Sequence, residues 1–316
     1  MLGTDEAGYG PNLGPLCIAA TAWQIPDGSA GNCLYRSLTD VICSQPVMDR
    51  AKLAIADSKV LYKSGATLEL LERGVLAALA CLERLPTRWR ELWLAVDAAA
   101  VPQIDAYPWH EGFDECIPLA ASPADVRGRG AALNHGCQVA AVELKDLQAT
   151  ALFPAAFNEA VQGSDNKAEV LSLATLRLVK RVLEGLPNGS AVVLCDKHGG
   201  RNRYAALLQH VFPDEFVRVK CESASLGAYE VRHLDRRIEF RFQPKGEQHL
   251  PTALASMTAK YLRELAMRPF NAFWQKHLPQ LRPTAGYYTD AVRFVREIDV
   301  VQRELRIEHG LVWRER

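Results

Sequence analysis

The distribution of apolar residues along the chain predicts alternating strands and helices. The first strand-like run is Met1–Thr4; a turn rich in Gly and Pro follows, and Leu16–Gln24 then mixes apolar residues with Thr and Trp, so an early hairpin is expected. Leu recurs at helical spacing over Thr67–Arg84, and Lys167–Leu186 reads as a helix closed by Pro187-Asn188-Gly189. Ala191–Cys195 follows at once as a buried-type strand, a succession that points to α/β layering. Shorter strands are expected at Glu91–Val96, Glu215–Lys220, Tyr229–His233 and Ile238–Phe242. Further helices are expected at Ala131–Leu147, Tyr204–His210, Thr252–Ala266, Phe270–Lys276 and Thr289–Ile298. The text from Asp97 to Asp165 otherwise reads as irregular, rich in Pro, Gly and Ala.

Composition narrows the class. The chain has 316 residues, of which 48% are apolar, and 37 Lys and Arg balance 37 Asp and Glu. A sizeable core is affordable, and disordered or collagen-like classes are excluded. No apolar run is long enough to span a bilayer, and no basic region followed by an apolar stretch opens the chain. The eight cysteines form no CxxC pair, so reduced thiols and a cytoplasmic location are expected, with no membrane association. Zero net charge removes the simplest argument for nucleic acid but leaves room for a local basic patch.

The candidate chemistry lies in acids at strand ends. Asp5 and Glu6 are adjacent at the end of the first strand, ahead of the turn Gly8-Tyr9-Gly10-Pro11. Strand alternation sends neighbours to opposite faces, so a break into a turn at Ala7 is what would let both serve one site. The glycines resemble a dinucleotide-binding pattern, yet Pro11 and Pro15 and the following strand leave no helix N-terminus to face a pyrophosphate. Asp196 stands directly after Ala191–Cys195, with Lys197, His198, Arg201 and Arg203 behind it, a mixture suited to phosphate contacts beside a carboxylate. Asp57-Ser58-Lys59 and Glu247 are further polar punctuation. Taken singly, each of these is an ordinary turn, cap or solvated loop.

In this order, however, the segments resemble the type 2 ribonuclease H (ribonuclease HII) family. "GTDEAGYGP" with "GPLCIAA" is similar to the family's DEAGRGP loop and the strand after it, and "IADSKVL" to its DSKKL segment. "NKAEVLSLATLRLVKRVLEGL" and "AVVLCD" resemble a family helix and the acid-bearing strand that follows it. "LASMTAKYLREL" resembles the AASILAKVTRD helix, and "AGYYTDA" the GYGT segment. The resemblance spans most of the chain from Gly3 to about Ala291.

It implies an α/β fold with a ribonuclease H-like mixed β-sheet flanked by helices. Residues 1–250 would form the core, with insertions near 97–165 and 204–243, and residues 251–316 a helical C-terminal segment packed on the same domain. It also implies four carboxylates, Asp5, Glu6, Asp196 and Glu247, holding two divalent ions, Mg²⁺ or Mn²⁺, although the family usually has Asp at the fourth position. Gly8, Tyr9, Gly10, Ser58, Lys59, Lys260, Arg263 and Tyr287 would contact substrate. The implied activity is hydrolysis of the RNA strand of an RNA–DNA hybrid, or of duplex DNA at embedded ribonucleotides, leaving 3′-hydroxyl and 5′-phosphate ends. Two departures fall on recognition: Tyr9 replaces the loop arginine, and Asp290 and Val292 replace basic residues after the GYGT-type segment. A nuclease with another nucleic-acid substrate and a non-catalytic nucleic-acid-binding relative therefore stand as alternatives; no protein partner is inferred.

Overall fold

The computed structural model describes residues 1–26, 34–45, 51–63, 65–164 and 166–315. Cys33 lies outside the described residues, and the other seven cysteines are free thiols. The strands are β1 (Leu2–Ala7), β2 (Leu16–Gln24), β3 (Ile42–Cys43), β4 (Leu53–Ala54), β5 (Glu143–Leu152), β6 (Ala191–Cys195), β7 (Arg218–Glu222), β8 (Gly227–His233) and β9 (Arg236–Phe242). Labelled helices are α1 (Glu69–Cys81), α2 (Trp89–Val96), α3 (Pro123–Val139), α4 (Pro154–Gln162), α5 (Lys167–Gly185), α6 (Leu250–His277) and α7 (Tyr288–Glu304).

Seven strands form one sheet in the order β5-β2-β1-β6-β9-β8-β7. The expected hairpin is present: β1 pairs antiparallel with β2, and β2 with β5. Beyond β1 the sense changes, because β6 runs parallel to β1 and β9 parallel to β6. Strand alternation along β2 divides its side chains between two cores. Cys17, Ala19 and Trp23 face a layer built from α1, α2, α3, α6 and α7. Leu16, Ile18, Ala20 and Ala22 face α5 and the helix Ala205–Val211. The result is the expected mixed sheet flanked by helices, with a helical C-terminal segment.

Helix α6 lies directly on the central strands. A Cβ on Gly3 would sit 2.3 Å from the Thr252 nitrogen, so only glycine admits the helix this close. Thr21 Oγ1 donates to the Pro251 carbonyl at 2.8 Å from the neighbouring strand.

Several expectations are corrected. Glu91–Val96 belongs to a helix: Trp89, Leu92, Trp93 and Val96 are buried at helical spacing, and the Glu91 carboxylate accepts the Thr87 and Arg88 N–H groups. The helix expected at Ala131–Leu147 ends instead at Val139, and the chain turns at Ala141 with φ 52°. The following β5, in text read as irregular, is an edge strand of the main sheet. The separate helices expected at Thr252–Ala266 and Phe270–Lys276 are one 28-residue helix running through Pro269. Proline cannot donate to the carbonyl four residues earlier; here the indole of Trp89 donates to that Leu265 carbonyl at 3.1 Å.

Candidate metal and nucleic-acid site

The register of β1 places the first two acids. Strand β1 continues through Ala7 rather than breaking there, pairing Asp5 with Ala19 and Glu6 with Ile18. Ala19 belongs to the α6-side core and Ile18 to the α5-side core, so the two carboxylates leave the sheet on opposite faces. Asp196 follows Cys195, which pairs with Thr4 beside Asp5 across the parallel strands. Glu247 sits in a single 3₁₀ turn, Gly246–Gln248, whose first residue packs on Asp196: a Cβ on Gly246 would lie 3.4 Å from the Asp196 nitrogen.

Electrostatics joins these acids. Burial, more than any charge, raises the Asp5 carboxyl above its ordinary value, and Asp196 adds to the rise while a hydrogen bond from Ser256 opposes it. Glu6 is raised for the same first reason, then by Asp5 and Asp196. Lys59 is the cation facing them. Despite the opposing effect of burial, its ammonium is raised by Asp57, Asp5, Glu247 and Asp196. All four candidate acids therefore lie near one another, although among the described residues no three His, Cys, Asp or Glu side chains converge closely enough to hold an ion.

Lys59 owes its position to a small polar lock. Asp57 caps the helix Ser58–Leu61 by accepting the Lys59 N–H at 3.0 Å. Ser256, from the second turn of α6, donates to Ser58 Oγ at 3.1 Å and accepts the Ser58 N–H at 3.3 Å. Ser58 is thus buried in the lock rather than presented to a ligand. Ser256 was not singled out in the sequence, although it lies within the "LASMTAKYLREL" segment.

The glycine turn is tightly framed. Gly8 has φ +94°, and a Cβ there would meet the Pro15 carbonyl at 2.6 Å. Gly10 is exposed. The Tyr9 ring lies under the Lys167 ammonium at 4.7 Å, and its hydroxyl approaches Gly199, in the turn after Asp196. Tyr287, 57% exposed, stands beside this turn because the neighbouring Gly286 carbonyl accepts the Asn12 N–H at 2.8 Å.

Other expected contacts are redirected. Arg263 is buried, and its guanidinium donates to the Leu13, Pro15 and Ala285 carbonyls, so it braces the turn and is withheld from phosphate. Lys260 pairs with Glu264 at 2.5 Å and lies over the Tyr62 ring. Lys197 donates to Asn202 and to the Ser223 carbonyl, and His198 is buried against Ser172. Of the basic run after Asp196, Arg203 remains extended into solvent, 3.8 Å from Glu222.

No protein family and no curated protein matches the chain by sequence. Solved structures similar to it include the ribonuclease H2 of Pyrococcus horikoshii, at 14% identity and TM-score 0.46 over 98% of this chain and 90% of that one. Another is the ribonuclease HII of Archaeoglobus fulgidus, solved with PCNA, at 13% identity and TM-score 0.42 over 100% and 93%. A third is Bst-RNase HIII in complex with Mn²⁺, at 14% identity and TM-score 0.39 over 93% and 61%.

Proposed function

We propose that the chain is a metal-dependent endonuclease that hydrolyses the RNA strand of RNA–DNA hybrids, or duplex DNA at embedded ribonucleotides. The observation that carries this reading is the placement of Asp196, at the end of β6, beside Asp5 of the parallel neighbour β1. Burial and the charge of Asp196 oppose ionisation of Asp5 there, and the candidate ligands offer carboxylate oxygens. Hard divalent cations prefer such donors, so the residues fit Mg²⁺ or Mn²⁺. Asp5, Glu6, Asp196 and Glu247 would hold the ions. When bound, a pair of them supplies an activated water and stabilises the departing oxygen of an in-line displacement.

The chain's own groups would do the rest. Lys59 faces the acids and would offset phosphate charge beside them. Gly8 and Gly10 would let the turn backbone approach the 2′-hydroxyl that separates RNA from DNA. Tyr287 would stack at the sugar next to the cut, and cleavage would leave 3′-hydroxyl and 5′-phosphate ends. A second reading, a nuclease for a different nucleic acid, is favoured by Tyr9: the position of the family's loop arginine holds a phenol enclosed by Lys167 and the turn at Gly199.

Two labelled duplexes test both readings, one a full RNA–DNA hybrid and one a DNA duplex with a single ribonucleotide. Each is incubated with Mg²⁺, Mn²⁺ or EDTA. Cleavage that needs metal and falls by on the order of 10²-fold or more in Asp5→Asn is expected. Cutting of other nucleic acids alone would favour the second reading, and metal-independent binding without cutting would identify a non-catalytic relative.

A further inference from the structure

The peptide joining Gly8 to Tyr9 is gripped by residues three hundred positions away. Arg314 is 1% exposed, lies over the Phe157 ring at 4.7 Å, and donates from Nη2 to the carbonyls of both Gly8 and Pro11. Its backbone is sewn to the same turn. The Arg314 N–H donates to the Asn12 carbonyl at 2.7 Å, and Asn12 Nδ2 donates to the Arg314 carbonyl at 3.0 Å. Asn158 fixes this strap from the other side, donating to the Trp313 carbonyl at 2.9 Å and accepting the Glu315 N–H at 2.8 Å.

Nothing in simple packing requires an arginine there. No carboxylate lies within ion-pair distance of Arg314 among the described residues, and its Nε and Nη1 atoms are buried without partners. Burying a charge in this way is unfavourable, and burial together with the charge of Arg263 lowers the guanidinium pKa to about 9. What the guanidinium offers is a rigid, planar Nη2 amino group whose two N–H donors hold two carbonyls at once. Arg263 performs the same service for Leu13 and Pro15. Two buried guanidinia thus draw the carbonyls of the glycine turn inward.

Carbonyl and N–H point in opposite directions across a planar trans peptide. With the Gly8 carbonyl held by Arg314, the Tyr9 N–H is turned away from the buried guanidinium. We propose that Arg314 is a positioning residue for recognition, fixing the Gly8–Tyr9 peptide so that the Tyr9 N–H is offered to an oxygen of the bound strand. This rests on the nuclease reading for its substrate, but the clamp itself can be measured without cleavage.

The test compares wild type with Arg314→Met and Arg314→Lys, using amide exchange across Gly8–Leu13 and kinetics on the single-ribonucleotide duplex. In Arg314→Met, exchange of the turn should quicken by about tenfold or more while β2 is unchanged, the pattern of a local opening. KM should rise about tenfold with kcat within about threefold, because binding is lost and the acids are untouched. Arg314→Lys should recover only part of either effect, and it carries the test if the methionine variant fails to fold. Unchanged exchange in the turn overturns the clamp; quickened exchange with unchanged KM overturns its role in recognition. If wild type cleaves neither duplex, the nuclease reading falls, and exchange together with the Kd for the same duplex decides the clamp.

Discussion

At Asp5 the ionised form is opposed by burial and by Asp196, and Glu6 is opposed by burial, Asp5 and Asp196. A carboxyl whose pKa is raised in the folded state holds its proton more tightly there than in the unfolded chain. Its contribution to stability is therefore complete below the unfolded value, roughly 4, and is lost as pH rises through the raised value. Ion-free protein should accordingly lose stability on passing from acid to mildly alkaline pH as far as this pair is concerned. Asp5→Asn removes one of the two charges. In calorimetry with EDTA it should be more stable than wild type at pH 8, by on the order of 1 kcal/mol, with the gain vanishing near pH 4. A variant less stable than wild type at pH 8 would show that Asp5 is not held against its charge. Asp196 was legible from the sequence because it directly follows a buried-type strand, and Asp5 and Glu6 because two adjacent acids stand just ahead of a glycine turn. Their division between two faces was not, because it depends on β1 continuing past Glu6 to Ala7, which pairs with Cys17.

At the level of elements, the docking of α6 decides most. Gly3→Ala would press a methyl into the helix backbone at Thr252, so a loss of about 1–3 kcal/mol is expected in urea unfolding. A neutral substitution would mean that α6 can ride outward from β1 freely. The same helix explains a misread boundary. Proline inside a periodic run ordinarily signals an end, and the compensation at Pro269 comes from Trp89, nearly two hundred residues earlier, which no local pattern reveals. Trp89→Phe keeps an aromatic ring but strands the Leu265 carbonyl. It should cost about 1–3 kcal/mol, as expected for a buried acceptor left unpaired, and an unchanged midpoint would count against the compensation. Helix α2 teaches the converse. Its Trp89, Leu92, Trp93 and Val96 carried the helical period in plain view, and a short apolar run was simply assigned the wrong period. Ala191–Cys195 was bounded correctly because Pro187-Asn188-Gly189 punctuates one end and Asp196 the other.

Over the whole molecule, the sheet order brings together acids that are far apart in the chain, and the folded protein carries their repulsion. Divalent ions should therefore raise the melting temperature more at pH 8, where the Asp5 and Glu6 carboxyls are pressed toward ionisation, than near pH 5, where protons already occupy them. A thermal shift with Mg²⁺ or Mn²⁺ at the two pH values checks this, and an equal shift at both would place the ions elsewhere. Global pairing was also the least legible level of the sequence. Arg263 was read as a phosphate contact because its segment resembles a family helix, whereas its bonds go to carbonyls some 250 positions earlier in the chain. Arg314 drew no attention at all. That distance has a consequence for biosynthesis. Strands β1 and β2 are made long before Arg263, Gly286 and Arg314 and can pair without them, but the turn between the strands is complete only when those residues have been made. A nascent chain thus carries Asp5 and Glu6 in its early hairpin long before the residues that frame the neighbouring turn exist.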